Sequence, residues 1–469
     1  MLANLKRCKW LVALAALCLF AAPFALAQSP VSSPPSAQQV VARVDEYMNA
    51  AVKVNHFSGS ILVARDGQPV ISKGYEMANY ELNVPNTPQT AFRLGSITKQ
   101  FTAMAIMMLQ ERGKLNVNDP LCKYLENCPA AWQPITIRHL LTHTSGIPNY
   151  TSFPGFFEKN STQPYTAAGL VDLFRDKALD FAPGEKFSYS NSGYHLLGLI
   201  IEKVSGARYA AFLRDNLFAA LGMKSTGYDD SRALVANRAS GYQWAGQAFV
   251  NAAYLNMAIP YSAGALYSTT EDLLVWDKAL YTEKLVSRKS LDEMFTPFKE
   301  QSPGSGYAYG WGIAKKFDRQ VIEHNGGING FSTDIVRFPN ERVTVIILSN
   351  NQGGNADRIA NDLSAIAFGA PYHVPAERKA IAIAPATLDK YVGQYQLAPN
   401  FIITVTNEDG RLMAQPTGQP KTELFAESET EFFLRVVDAQ ITFVKDAQGQ
   451  VTRLILHQGG RDLPAPKIK

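Results

Sequence analysis

The chain has 469 residues, 46% of them hydrophobic and 18% charged, with a formal net charge of +4. That length exceeds one ordinary domain and is enough to bury a large core, and the composition is globular. The near balance of charge excludes the electrostatic footprint of a nucleic-acid binder or of a protein held on an anionic membrane.

Residues 1–27 read as a secretory signal. Lys6, Arg7 and Lys9 form its positive region, Trp10 to Phe20 its apolar core, and Ala25-Leu26-Ala27 its cleavage site. The apolar run is short for a membrane span. Leu17 before Cys18 argues against a lipoprotein. Cleavage removes three of the 45 basic residues and none of the 41 acidic ones, so the mature chain is close to neutral. The expectation is a periplasmic or secreted protein with no stable membrane insertion.

"QSPVSSPPSAQQ" (28–39) reads as a disordered Pro/Ser tether. Helical periodicity starts near Val40. "SGSILVARDGQPVISKGYE" predicts a hairpin turning at Asp66-Gly67. A mostly helical stretch follows from Ser96 to about Leu285. Within it, Ser268-Thr269-Thr270-Glu271 has the form of a capping box before "DLLVWDKAL". Strands are predicted at "YGWGIAKKF", "QVIEHN", "FSTDIVRF" and "VTVIILSN", with Pro339-Asn340-Glu341-Arg342 as a tight connection. Strands at both ends of a helical stretch predict an α+β fold, an antiparallel sheet joined from distant segments with helices packed on it. The Pro/Ala-rich stretch at 371–387 reads as a linker between a main domain (40–370) and a small all-β domain (388–469). The latter shows about six short strand patterns and reads as a closed or nearly closed barrel.

Cys8 and Cys18 leave with the signal. Cys122 and Cys128, six residues apart, read as a local disulfide, because no two further ligands stand nearby for a metal. His139 and His143 are spaced i, i+4, but no Glu completes a His-Glu-x-x-His pattern, so packing and loop hydrogen bonds are the expected roles. No metal and no cofactor are expected.

The chemistry concentrates in Ser96-Ile97-Thr98-Lys99. Residues i and i+3 share a helix face, so the Ser96 hydroxyl and the Lys99 amine come together. A serine needs an adjacent base, and a lysine serves if burial and positive neighbours depress its pKa. The following "FTAMAIMMLQ" is apolar nearly all round and would supply the burial. Further on, Tyr189-Ser190-Asn191 offers a proton relay and an amide hydrogen-bonder before an apolar helix that ends at Gly206. His324-Asn325-Gly326-Gly327 then ends one strand and starts the approach to another. Its paired glycines let a substrate backbone come close, and a backbone N–H there can share an oxyanion hole with that of Ser96.

Ser-x-x-Lys, Tyr-x-Asn and His-x-Gly in this order resemble the serine β-lactamase and penicillin-binding protein superfamily. The nearest branch holds class C β-lactamases, D-alanyl-D-alanine carboxypeptidases of the S12 peptidase type and related esterases. "LLTHTSGI", "FAPGEKFSYSN", "SAGALYSTTEDLLVW" and "YGWG" carry the same resemblance, which spans roughly residues 40–370. It implies a separate helical lobe beside the sheet, and the C-terminal part resembles a lipocalin-like domain. It implies that Ser96 is the acylated nucleophile, that Lys99 and Tyr189 share the proton work, and that Asn191 orients Lys99 or the substrate amide. It places His324 where class C enzymes have a lysine, and Asn325 where many members have a carboxylate-holding threonine. Gly326 completes the third motif, and the N–H groups of Ser96 and Gly327 form the oxyanion hole. The expected function is that of an exported serine hydrolase, a peptidase or amidase acting on D-residue-containing or peptidoglycan-derived peptides. Esterase or β-lactamase action by the same residues is the alternative, and a non-catalytic binder of cell-wall peptides the remote one.

Overall fold

The structure, a computed structural model, describes residues 34–302, 305–398, 401–435, 439–458 and 461–469. The signal segment and most of the tether lie outside the described residues. Helix α1 (Ala37–Asn55) begins inside the segment expected to be tether. The reason is local: Ser36 Oγ accepts the Gln39 N–H while Gln39 Oε1 accepts the Ser36 N–H, a complete capping box.

One eight-stranded antiparallel sheet organises the main domain. Its strands are β1 (Gly59–Arg65), β2 (Gln68–Tyr75), β3 (Lys299–Ser302), β4 (Ser305–Tyr307), β5 (Gly312–Lys316), β6 (Arg319–Ile328), β7 (Phe331–Phe338) and β8 (Val343–Ser349). The order is β3-β4-β5-β6-β7-β8-β1-β2, so the N-terminal hairpin pairs with β8, with Ile61 opposite Ile347. Side chains alternate between faces. Val321, Val336 and Val345 pack under α1 and α6 (Ala356–Phe368); Ile322, Ile335 and Ile346 join the core of the helical lobe.

That lobe is built around three helices and one short turn: α2 (Thr98–Glu111), α3 (Asn191–Ser205), the four-residue α4 (Tyr261–Gly264) and α5 (Thr270–Ala279). The cap of α5 differs from the expected one. Thr269, not Ser268, is the N-cap and accepts the Asp272 N–H; Ser268 Oγ bonds Thr226 Oγ1 instead. α5 is tied to the sheet by a buried pair. Arg337 Nε donates to Asp277 Oδ1 and Thr344 Oγ1 to Asp277 Oδ2, each at 2.8 Å. Removing one partner strands a buried guanidinium. Asp277→Ala is therefore expected to lower unfolding stability by about 3–5 kcal/mol, read by denaturant titration; a loss below about 1 kcal/mol, the level of an exposed pair, would show that Arg337 is satisfied otherwise.

Residues 370–384 carry no helix or strand. The C-terminal part then forms eight strands in sequential order, not six, with its own apolar core around Tyr391, Tyr395, Leu412 and Phe443. The first strand and the chain end meet: Gln394 N–H donates to Lys469 O, and Ile468 N–H to Gln394 O, which nearly closes a barrel. Cys122 and Cys128 are bonded to each other, with Cα atoms 5.3 Å apart. Among the described residues, no helix is long and apolar enough to cross a membrane, and no cluster of metal-ligating side chains occurs.

Candidate active site

Ser96 lies in a short 3-10 turn (Gly95–Ile97) that leads directly into α2. Gly95 adopts φ +54, a conformation that favours glycine, and a side chain there would stand 3.0 Å from Gly327 N. α2 is buried from Thr98 to Leu109, and Lys99 is completely buried with it.

Lys99 Nζ lies 3.1 Å from Ser96 Oγ, 2.8 Å from Asn191 Oδ1 and 2.8 Å from Ala263 O. Burial holds its pKa well below the usual lysine range. Desolvation suffices; positive neighbours, expected from sequence to share this work, do not contribute. The rings of Tyr189 and Tyr194 stand 4.8 and 5.5 Å from the amine.

Asn191 opens α3, and its amide is oriented from both ends. Oδ1 accepts from Lys99, while Nδ2 donates to Thr151 Oγ1 at 3.0 Å. Its N–H donates to Asn149 Oδ1. Tyr189 is half-buried, with its hydroxyl close enough to Ser96 to feel it. Burial pushes its pKa up, so the phenol keeps its proton.

His143 fixes the Tyr189–Asn191 turn from behind. Its Nδ1 accepts the Ser190 N–H at 3.1 Å, so the ring carries its proton on Nε2, which is buried without a partner. Burial and the neighbouring Lys99 and His324 push its pKa well down. The ring packs 4.3 Å from that of Tyr189.

The third motif differs in part from its sequence reading. β6 does not end at His324; it runs on to Ile328, and the turn falls at Asn329-Gly330. His324 is buried. Its Nδ1–H donates to Asn325 O at 2.6 Å, and its Nε2 accepts from the Tyr307 hydroxyl at 2.8 Å. Burial, then Lys99, lowers its pKa to about 3, so His324 is uncharged and is not a cationic equivalent of lysine. Gly326 serves the protein's own packing: a Cβ there would lie 2.0 Å from Leu94 O. Gly327 is open, with nothing within 4 Å of a hypothetical Cβ. Asn325 is exposed, on the other face of β6 from His324.

Sequence reasoning missed Ala263 O and Thr151 as parts of this arrangement; the packing and loop hydrogen bond expected of His143 are present, and Tyr307 is an aromatic of "GYAYGWGI" that lines the cavity. "SAGALYSTTEDLLVW" contains Ala263, but a backbone acceptor leaves no side-chain signature. A cavity of about 1440 Å³ opens beside the site. Tyr189, Tyr307 and His324 line it from the main domain, and Gln440, His457 and Asp462 from the barrel.

An antiparallel sheet with a helical lobe, and at their junction a half-buried serine against a buried lysine, defines a fold of the serine hydrolase type. A family model described as Beta-lactamase matches residues 41–369, and one described as Domain of unknown function (DUF3471) matches residues 377–466. The chain belongs to the beta-lactamase family. Penicillin-binding protein 4* of Bacillus subtilis (strain 168) is 32% identical over 438 residues, 88% of this chain and 96% of that protein. The octameric penicillin-binding protein homologue from Pyrococcus abyssi has a TM-score of 0.64 at 27% identity, covering 91% of this chain and 99% of that one. A D-stereospecific amidohydrolase from Streptomyces sp. has a TM-score of 0.57 at 27% identity, covering 68% of this chain and 95% of that one.

Proposed function

We propose that the protein is an exported serine hydrolase that forms an acyl-enzyme on Ser96 and cleaves amide bonds in D-residue-containing or peptidoglycan-derived peptides. The observation that carries this reading is the surroundings of Lys99 Nζ. Asn191 Oδ1 and Ala263 O can only accept, so a neutral amine spends its two N–H bonds on them. Its lone pair then faces the Ser96 hydroxyl and takes the proton as Oγ attacks the carbonyl. Tyr189, still protonated and beside Ser96, is placed to pass a proton to the leaving nitrogen. The N–H groups of Ser96 and Gly327 would receive the oxyanion. The resemblance to a penicillin-binding protein and to a D-stereospecific amidohydrolase supports the choice of an amide of a D-residue.

Esterase or β-lactamase action by the same residues is the second reading. The uncharged His324 and the amide of Asn325 favour the esterase over both a β-lactamase and a carboxypeptidase, whose substrates each present a carboxylate to this motif. Fluorescent penicillin or fluorophosphonate is expected to label the wild type and not Ser96→Ala; equal labelling would remove the nucleophile assignment. D-Amino-acid p-nitroanilides, short acyl esters and nitrocefin separate the readings, and turnover of esters alone would end the amidase proposal.

A further inference from the structure

Among the described non-glycine residues with a left-handed φ, only His143 (φ +55) and Tyr261 (φ +39) are buried. Both lie against the Lys99 site. His143 accepts the Ser190 N–H beside Asn191, and Tyr261 opens α4, whose Ala263 O accepts from Lys99 Nζ. A bulky residue in this conformation is strained and persists only where its surroundings hold it.

The two helices that carry Lys99 and Asn191 do the holding. From α2, Thr102 Oγ1 donates to Ser262 O at 2.7 Å and Lys99 Nζ to Ala263 O at 2.8 Å. Thr102 lies one turn from Lys99 on the same helix face, so α2 engages two successive carbonyls of α4. Ser262 O can only accept, so Thr102 spends its proton there and the Tyr209 hydroxyl donates to Thr102 Oγ1 at 2.7 Å. Thr98 Oγ1 accepts the Leu266 N–H just beyond, at 3.1 Å. From α3, Tyr194 O accepts the Ser262 hydroxyl at 2.9 Å. The approach is close: a Cβ at Gly198 would lie 2.2 Å from Ser262 Oγ. Ser262 is therefore fully buried and bonded to both helices, once through its carbonyl and once through its hydroxyl.

We propose that Ser262, supported by Thr102, is a positioning residue for the base. It pins the strained α4 between α2 and α3, aims Ala263 O at Lys99 Nζ, and so leaves the amine lone pair to Ser96. This rests on Ser96 being the nucleophile and Lys99 its base, and deepens that reading by naming what sets the base.

Without the Ser262 hydroxyl, α4 is released from α3, Tyr261 relaxes and Ala263 O leaves Lys99. A protonated lysine loses more by this than a neutral one, because the ionised donor makes the stronger bond. Lys99 then becomes harder to protonate. The groups that face its amine are uncharged: burial keeps Tyr189 and Tyr194 protonated and His143 and His324 neutral. A shift of the acid limb of reactivity thus belongs to Lys99.

The test is the rate of fluorophosphonate labelling of Ser96 against pH in the wild type, Ser262→Ala, Thr102→Val and Thr102→Ser. Ser262→Ala is expected to move the acid limb down by about one pH unit and to lower the plateau by about 10–10²-fold. Thr102→Val should do the same by less, and Thr102→Ser, which keeps the hydroxyl, should match the wild type. A purely structural role lowers the plateau and the melting temperature and leaves the limb in place. An unmoved limb in Ser262→Ala, however far the plateau falls, overturns the proposal. So does a shift that Thr102→Ser shows as fully as Thr102→Val. If Ser262→Ala does not fold, Thr102→Val decides by the same criterion. No labelling of Ser96 in the wild type removes the nucleophile reading instead. NMR of lysines labelled at Cε, with the Lys99 signal assigned by its loss in Lys99→Met, then follows the same midpoint without turnover. A lower midpoint in Ser262→Ala keeps the positioning role, and an equal one removes it.

Discussion

Lys99→Arg is expected to abolish acylation of Ser96, with kcat/KM falling by about 10²–10⁴-fold, the usual worth of a positioned general base. Arginine stays protonated in proteins and offers no lone pair. A guanidinium in a fully buried site also strains the fold, so Lys99→Met serves as the partner variant, similar in length and free of charge. Both should lose labelling by fluorophosphonate. The methionine variant should keep its circular dichroism spectrum, which separates lost chemistry from lost structure.

The pH dependence gives the same base a second signature. The active form is the neutral amine, and burial lowers the Lys99 pKa. Activity therefore falls as pH drops through that depressed value and is already full at pH values where an ordinary lysine is still charged. If Lys99 acted as a cation instead, kcat/KM would fall as pH rises through that same depressed value, the opposite sign. Tyr189 does not confuse the reading, because its pKa is displaced upward, away from the acid limb.

How much of this was legible in the sequence depends on whether a feature is carried by side-chain type or by tertiary contact. The Ser96–Lys99 pair was legible because an i, i+3 spacing before an apolar run fixes both proximity and burial. Six of the sheet's strands were legible from alternation and turn residues, while the short edge strands β3 and β4 were not. The cap of α5 was misplaced by one residue because Ser268, Thr269 and Thr270 are chemically similar caps. Thr226, far away in sequence, takes the Ser268 hydroxyl and settles the choice. Two barrel strands escaped because short ones such as Glu431–Phe433 show too little periodicity. Ala263 O and the barrel's wall of the cavity were invisible, since neither a backbone carbonyl nor a contact between distant segments has a local pattern. His143 was visible as a residue but not as a prop. Only the fold shows its Nδ1 against the Ser190 N–H.

Gly326 and Gly327 look interchangeable in the sequence, and the structure predicts opposite outcomes for them. A Cβ at Gly326 would lie 2.0 Å from Leu94 O and 2.4 Å from Thr333 Oγ1, the hydroxyl that itself donates to Leu94 O. Gly326→Ala must therefore push β6 away from the turn that carries Ser96. Displacement near 1 Å costs about 10²-fold in rate when reacting groups depend on their alignment, and overpacking of this kind costs about 1–3 kcal/mol. Gly327→Ala meets open space and keeps its backbone N–H, and its φ is not positive. It should retain stability within about 0.5 kcal/mol and most of its acylation rate. Fluorophosphonate labelling and thermal melts of the two variants side by side check this. Equal damage from both would mean that the space beside Gly327 is needed by the substrate itself. Equal tolerance would mean that Leu94 and Ser96 follow β6 when it moves, and that the oxyanion hole does not depend on the contact between them.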